Sequence, residues 1–290
     1  MSLLEPQGIP GSQPSAHVDT FVRDNLPPVT DWPSLDFSGV PELRYPPRIN
    51  CADELLDRMV GSGHADRPAI HFEGRILTYR ELLEKANRIA HVLVEELGVV
   101  PGNRVLLRGP NNPMMVASWF AVLKAGGVVV TTMPLLRARE LSYIMKKARV
   151  SAALCDSRLI EDMQAAAERA ARTGSAHSLQ VAYFGPVDRH PVGDAELNPL
   201  EPLAASKPSG FENVDTAADD PALIAFTSGT TGQAKGTVHF HRDVLAVCDT
   251  FSRYVLQPTA EDVFTGTPPL AFTYGLGGLL LFPIRAGARR

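Results

Sequence analysis

From about residue 50 the chain alternates between short apolar runs and longer stretches with helical spacing. Thr78 followed by Glu81 forms a capping box, in which side chain and backbone satisfy each other's first-turn groups. Behind it Leu82, Leu83, Ala86, Ile89, Ala90, Leu93, Val94 and Leu97 recur at three- and four-residue intervals, and Gly98 supplies a stop. Residues 104–107 read as a buried strand. Pro113 opens a second helix that runs through Trp119 and Leu123 to the Gly126-Gly127 stop. Residues 128–132 predict a strand, 137–148 a helix, 152–155 a strand, 157–172 an alanine-rich helix and 179–183 a last strand. Short apolar strands separated by helices of ten or more residues predict right-handed crossovers. The fold class that follows is α/β, with layered parallel-sheet subdomains and helices on both faces.

Outside that alternation the pattern fails in two places. Residues 1–50 are rich in proline and have no helical period, as expected of an extended N-terminal arm. Residues 186–218 are rich in Pro, Ala, Ser and Glu and read as a linker between a first subdomain, 51–185, and the start of a second, 219–290, which opens on the strand 222–226. That second unit is expected to be incomplete.

Composition narrows the function classes. Among 290 residues, 44% are hydrophobic and 21% charged, ordinary for a globular chain. A net charge of −4 offers no electrostatic footprint for nucleic acid. Cys51, Cys155 and Cys248 are scattered and odd in number, which points to reduced thiols and a cytoplasmic protein rather than a disulfide framework. The first residues lack a basic region followed by an apolar run, so they are not expected to be a signal peptide. The uncharged stretch 263–284 holds three prolines and four glycines, so it is expected to be a buried loop and helix and not a membrane span. His239 and His241 form an H-x-H pair with no third ligand nearby, and no metal site is expected from them.

The chemistry sits directly behind the strand 222–226. Thr227, Ser228, Gly229, Thr230, Thr231, Gly232, Gln233, Ala234, Lys235 and Gly236 bring three glycines, four hydroxyls and a lysine into ten residues. Glycines let backbone amides approach an anion closely, hydroxyls add donors, and the lysine adds one mobile charge. Together they make a phosphate cradle. It is not the P-loop of the NTPases, because Ala234 precedes the lysine and Gly236 follows it. A flexible surface loop is the alternative.

This segment resembles, nearly residue for residue, the signature loop of the acyl-adenylate-forming superfamily, which includes acyl-CoA ligases, peptide-synthetase adenylation domains and luciferases. Leu77 to Leu82, Leu123 to Gly127 with Pro134, and Pro269 to Gly275 are similar to other segments of that superfamily and fall in the same order. The likeness covers about residues 50–290. Residues 113–115, 132–140 and 268–278 look most like benzoate– and 2-aminobenzoate–CoA ligases, as does the arm.

The resemblance implies ATP-dependent activation of an aromatic carboxylic acid to an acyl-adenylate and then its coenzyme A thioester. Thr227, Ser228, Gly229, Thr230, Thr231, Gly232 and Lys235 would grip the β- and γ-phosphates, with Mg2+ bridging them. Phe272, Tyr274 and Gly275 would border the acyl pocket; the alternative is that both aromatics are core. The family's magnesium glutamate, ribose aspartate, hinge and C-terminal lysine have no counterpart before Arg290. The catalytic residues are therefore expected beyond it, and the 290 residues alone are expected to fold and be inactive. Val244, Leu245, Val247 and Phe251 are expected to present apolar faces that favour a homodimer. A non-catalytic nucleotide-binding module and a structural protein derived from a ligase are the readings from other classes.

Overall fold

A computed structural model describes residues 14–32, 34, 37, 39–172, 179–185, 198–227 and 234–289. The chain enters through a short helix, α1 (Phe21–Asp24), and a helical segment over residues 51–64. A hairpin of β1 (Pro68–Phe72) and β2 (Arg75–Thr78) follows, then α2 (Tyr79–His91), continued by Val92–Glu96. The Thr78–Glu81 capping box is formed as the sequence suggests: Glu81 N–H donates to Thr78 Oγ1 at 3.2 Å, and Thr78 N–H donates to Glu81 Oε2 at 2.8 Å.

Next come β3 (Arg104–Arg108), α3 (Pro113–Lys124), β4 (Val128–Thr132), α4 (Ala138–Ala148), β5 (Val150–Asp156), α5 (Ile160–Arg172) and β6 (Gln180–Phe184). Within the stretch read as a linker, β7 (Asn198–Pro199) and α6 (Leu200–Ala205) form. The chain then runs through β8 (Pro221–Thr227), β9 (Lys235–Phe240) and α7 (His241–Val247), the last continued by Cys248–Leu256. It closes with α8 (Thr273–Leu276), the turn of helix Gly277–Leu281, and α9 (Phe282–Arg285).

Seven strands make one sheet in the order β7-β6-β5-β3-β4-β8-β9, parallel except for the antiparallel β8–β9 pair. The strand at which the sequence suggests a second unit thus lies in this same sheet. Leu223 and Ile224 of β8 register with Val129 and Val130 of β4, where they take up hydrogen-bonding groups that β4 would otherwise expose.

Side chains alternate across the pleat, so each strand feeds two cores. Val105, Leu107, Val129, Leu154 and Leu223 join the layer under α2 and α3. Leu106, Val128, Val130, Ala153 and Ile224 join the layer under α4 and α5. Helices therefore cover both faces, as the runs of Val and Leu require.

The N-terminal arm is tied to the start of β8. Asp220 is fully buried and accepts from Ala16 N–H at 3.0 Å, Ala217 N–H at 2.9 Å, Arg23 Nη1 at 2.8 Å and the Ser15 hydroxyl. Burial alone would raise its pKa, but His17, Ser15 and the two amides together hold it below the ordinary carboxylate range. A second tie joins Ile49 and Thr216: Ile49 N–H donates to Thr216 O at 2.9 Å, and Thr216 Oγ1 donates to Ile49 O at 2.8 Å.

One expectation about the surface is corrected. Val244 and Leu245 are buried, because α7 folds back over β8 and packs with Leu223, Leu279 and Phe282. Val247 and Phe251, one and two turns on, are partly exposed, and Tyr254, Val255 and Leu256 continue that apolar face.

Candidate functional site

In an open α/β sheet the strand carboxyl ends form the natural crevice, because the flanking crossovers diverge there. Three parts stand at that end here: the β8–β9 stem at Thr227 and Lys235, the loops after β3 and β4, and residues 268–271.

β8 and β9 form the stem of the glycine-rich loop. Thr227 and Lys235 are register partners, so the chain leaves the sheet at Thr227 and returns beside it at Lys235. Both are exposed. The stem is held from two sides: Thr237 Oγ1 donates to Ala225 O at 3.0 Å, and Tyr143 Oη of α4 donates to Ala234 O at 3.2 Å. Ser228, Gly229, Thr230, Thr231 and Gly232 lie outside the described residues.

The second expected element, residues 268–275, is docked onto the ends of β3 and β4. Asn111 Nδ2 donates to Pro268 O at 2.9 Å, Leu270 N–H donates to Asn111 Oδ1 at 2.8 Å, and Thr131 Oγ1 donates to Ala271 O at 3.0 Å. Neither aromatic is core: Phe272 is 47% and Tyr274 81% exposed. Tyr274 lines a cleft of about 840 Å3 with His239, Asp243, Val244, Phe251 and Phe282. Phe272 and Gly275 do not line it.

Gly275 instead lies beneath, against backbone. A Cβ there would fall 2.9 Å from Pro268 O and closer still to the Pro269 carbonyl. Because both obstacles are main chain, a Gly275→Ala protein must shift the whole segment. A loss of about 1–3 kcal/mol is expected, as for overpacked sites, and urea unfolding would measure it. An unchanged midpoint would show that the segment is not held against this glycine.

The H-x-H pair is split. His239 faces the cleft, whereas His241 is fully buried and its Nδ1 accepts from Cys51 N–H at 3.1 Å. Burial pushes the His241 imidazole down to about 3, with His17 adding to the shift and Asp220 opposing it, so it stays neutral. Among the described residues no group of three His, Cys, Asp or Glu side chains is placed to hold a metal. Cys51, Cys155 and Cys248 are free and buried. Burial raises all three thiols, Cys155 and Cys248 to about 12, which removes them as thiolate nucleophiles at neutral pH. Asn111, Thr131 and Tyr143 escaped the sequence reading, and His239 entered it only as half of the H-x-H pair. The adjacent Asn111-Asn112 pair before Pro113 was the available signal, since one asparagine suffices to cap a helix.

The stem of the glycine-rich segment thus stands at the carboxyl end of the sheet, and an apolar cleft lies beside β8. The family described as AMP-binding enzyme matches residues 58–290, and the chain belongs to it. A benzoate–CoA ligase of Thauera aromatica is 28% identical over 248 residues, covering 86% of this chain and 45% of that protein. The 3-hydroxybenzoate–CoA/4-hydroxybenzoate–CoA ligase of the same organism is 30% identical over 249 residues, covering 85% and 45%.

Among solved structures, the anthranilate CoA ligase AuaEII in complex with anthranoyl-AMP superposes with a TM-score of 0.76 at 24% identity, covering 86% of this chain and 45% of that one, a likeness of fold. A benzoate CoA ligase from Burkholderia xenovorans superposes with a TM-score of 0.71 at 25% identity, covering 83% and 44%. MatB from Rhodopseudomonas palustris with ATP bound gives 0.71 at 27% identity, with the same coverage. The chain thus spans about half the length of the relatives it matches. No helix among the described residues is long and apolar enough to cross a membrane.

Proposed function

We propose that the protein carrying this chain activates an aromatic carboxylic acid, of the benzoate or 2-aminobenzoate type, with ATP and passes the acyl group to coenzyme A. The observation that carries the reading is that the loop stem at Thr227 and Lys235 and the docked 268–271 segment both stand at the carboxyl ends of one sheet, with Tyr274 beyond that segment lining an apolar cleft. The Thauera relatives' names support the acid class. Because the chain spans about half of those relatives, the complete reaction is assigned to the whole protein.

In the first half-reaction the acid's carboxylate oxygen attacks the α-phosphorus of ATP, and pyrophosphate leaves. Such a transfer needs positioning and charge neutralisation more than proton transfer. Lys235 and the loop residues Thr227, Ser228, Gly229, Thr230, Thr231 and Gly232 would grip the β- and γ-phosphates. Tyr274 would offer a ring face or edge to the substrate ring. Magnesium, when present, would neutralise phosphate charge. In the second half-reaction the coenzyme A thiolate attacks the activated carbonyl and AMP departs.

The test is pyrophosphate exchange into ATP by the full-length protein, driven by benzoate or 2-aminobenzoate. Lys235→Ala should slow exchange roughly tenfold or more, the effect of losing one charged hydrogen-bond donor to phosphate. Exchange by wild type that Lys235→Ala leaves untouched would remove the lysine from the site. ATP binding with no exchange for any aromatic acid would favour a non-catalytic nucleotide-binding module, and no ATP binding at all a structural protein.

A further inference from the structure

We infer that Asn111 is a positioning residue for the acid-binding segment: its single carboxamide sets the register of residues 268–272 on the sheet, and through them the place of Tyr274. The inference rests on the function proposed above and adds to it the group that aligns the aryl side of the cleft.

The argument starts from what the segment lacks. Pro268 and Pro269 have no backbone N–H, so two consecutive residues cannot donate to a neighbouring strand. Ordinary ladder pairing therefore cannot hold this stretch where it crosses the carboxyl ends of β3 and β4. Three backbone groups of residues 268–271 face the sheet instead: Pro268 O, Leu270 N–H and Ala271 O. Asn111 serves the first two at once, donating from Nδ2 at 2.9 Å and accepting at Oδ1 at 2.8 Å. A carboxamide carries a donor and an acceptor side by side, as a peptide group does, so it pairs with C=O(i) and N–H(i+2) as one more residue of strand would. Thr131 Oγ1 takes Ala271 O at 3.0 Å. Pro269 O is turned inward and accepts from Phe272 N–H at 3.0 Å.

Asn111 is free for this task because its neighbour does the capping. Asn112 Oδ1 accepts from Met115 N–H at 2.9 Å and closes the first turn of α3. Asn111 stands three residues past the end of β3, and Thr131 is next to last in β4, directly opposite Leu107. The two anchors thus come from adjacent strands of the sheet. They sit under one short segment that continues through Phe272 into α8. Gly275 then packs on the same Pro268 and Pro269 carbonyls from above. The carbonyl that Asn111 grips is therefore one of the two against which the backbone beside Tyr274 packs. A shift of this segment moves the Tyr274 ring in the cleft and leaves Lys235, on β9, in place.

The experiment compares wild type, Asn111→Ala, Thr131→Val and the double variant in the full-length protein, by pyrophosphate exchange at varied acid and varied ATP. The KM for the aromatic acid should rise about tenfold in Asn111→Ala while the KM for ATP stays within about twofold, the pattern of lost acid positioning rather than lost fold. Thr131→Val should raise the same parameter, and the two changes should fall short of additivity because they act on one segment. Hydrogen exchange at the Leu270 amide should quicken in Asn111→Ala.

If the two KM values rise together, or neither moves, or Leu270 exchange is unchanged, Asn111 does not position the segment. Wild type that exchanges with no aromatic acid would fail the functional reading itself. Wild type that exchanges normally beside indifferent variants fails only this inference.

Discussion

Replacing Asp57 by alanine is expected to lower stability by about 3–5 kcal/mol, the cost of leaving one partner of a buried ion pair alone. Lys124 at the end of α3 has a side chain with no exposed surface, and its Nζ donates to Asp57 Oδ1 at 2.5 Å and Oδ2 at 2.6 Å. Burial pushes the ammonium below its ordinary pKa, and Asp57 is the main influence opposing that shift. Asn213 Nδ2 donates to the same carboxylate at 3.2 Å, and its neutral carboxamide cannot replace the charge that Asp57 supplies. Without Asp57 the lysine must lose its proton or draw water inward. Either costs a large share of the roughly 5–15 kcal/mol typical of a folded domain. Urea unfolding would read the loss directly, and adding Lys124→Met should recover much of it, since an apolar replacement removes the stranded charge. A loss under about 1 kcal/mol would mean that the pair behaves as a solvated surface bridge.

Stability should also fall steeply between neutral and mildly acid pH. His241 is neutral in the fold, with its pKa held down at about 3, first by burial and then by His17. An unfolded histidine takes a proton near pH 6.5, so below that value the unfolded state binds more protons than the folded one. The sign is a loss of stability as pH drops, about 1.4 kcal/mol per unit for His241, or about 2 kcal/mol between pH 7 and pH 5. His17 is shifted down as well, again chiefly by burial, and adds in the same direction. His241→Asn still offers an oxygen to Cys51 N–H but cannot titrate, so its unfolding midpoint should depend less on pH. Equal pH slopes for variant and wild type would place the acid sensitivity elsewhere.

The parts legible in the sequence were those specified by neighbours along the chain. β3, β4, the α2 cap and the alternation of Val and Leu across two cores follow from period and local chemistry. The β1–β2 hairpin did not stand out, because its strands are only five and four residues long and carry His71 and Arg75. Its signal was Gly74, which with Glu73 adopts positive φ in a two-residue turn. The glycine-rich loop was recognisable from composition alone, but what steadies its stem was not: Tyr143 meets Ala234 across 91 residues of sequence. Asn111 meets Pro268 across 157, and Lys124 meets Asp57 across 67. No periodicity encodes such pairs. Tyr274, singled out by resemblance, lines the cleft, whereas Phe272, two residues before it, does not.

The arm's attachment has a consequence for how the molecule comes into being. Ser15, Ala16 and Arg23 leave a ribosome well before their partner Asp220, which is about 200 positions behind them. At the usual 5–20 residues per second, that separation is roughly 10–40 s of synthesis. Before that interval ends β3, β4, β5 and β6 have been made and can pair, since every crossover joining them is then complete. The arm cannot seat itself, because the residue that receives it immediately precedes β8. Its docking therefore becomes possible only as β8 begins to emerge, after the strands β3 to β6 are made.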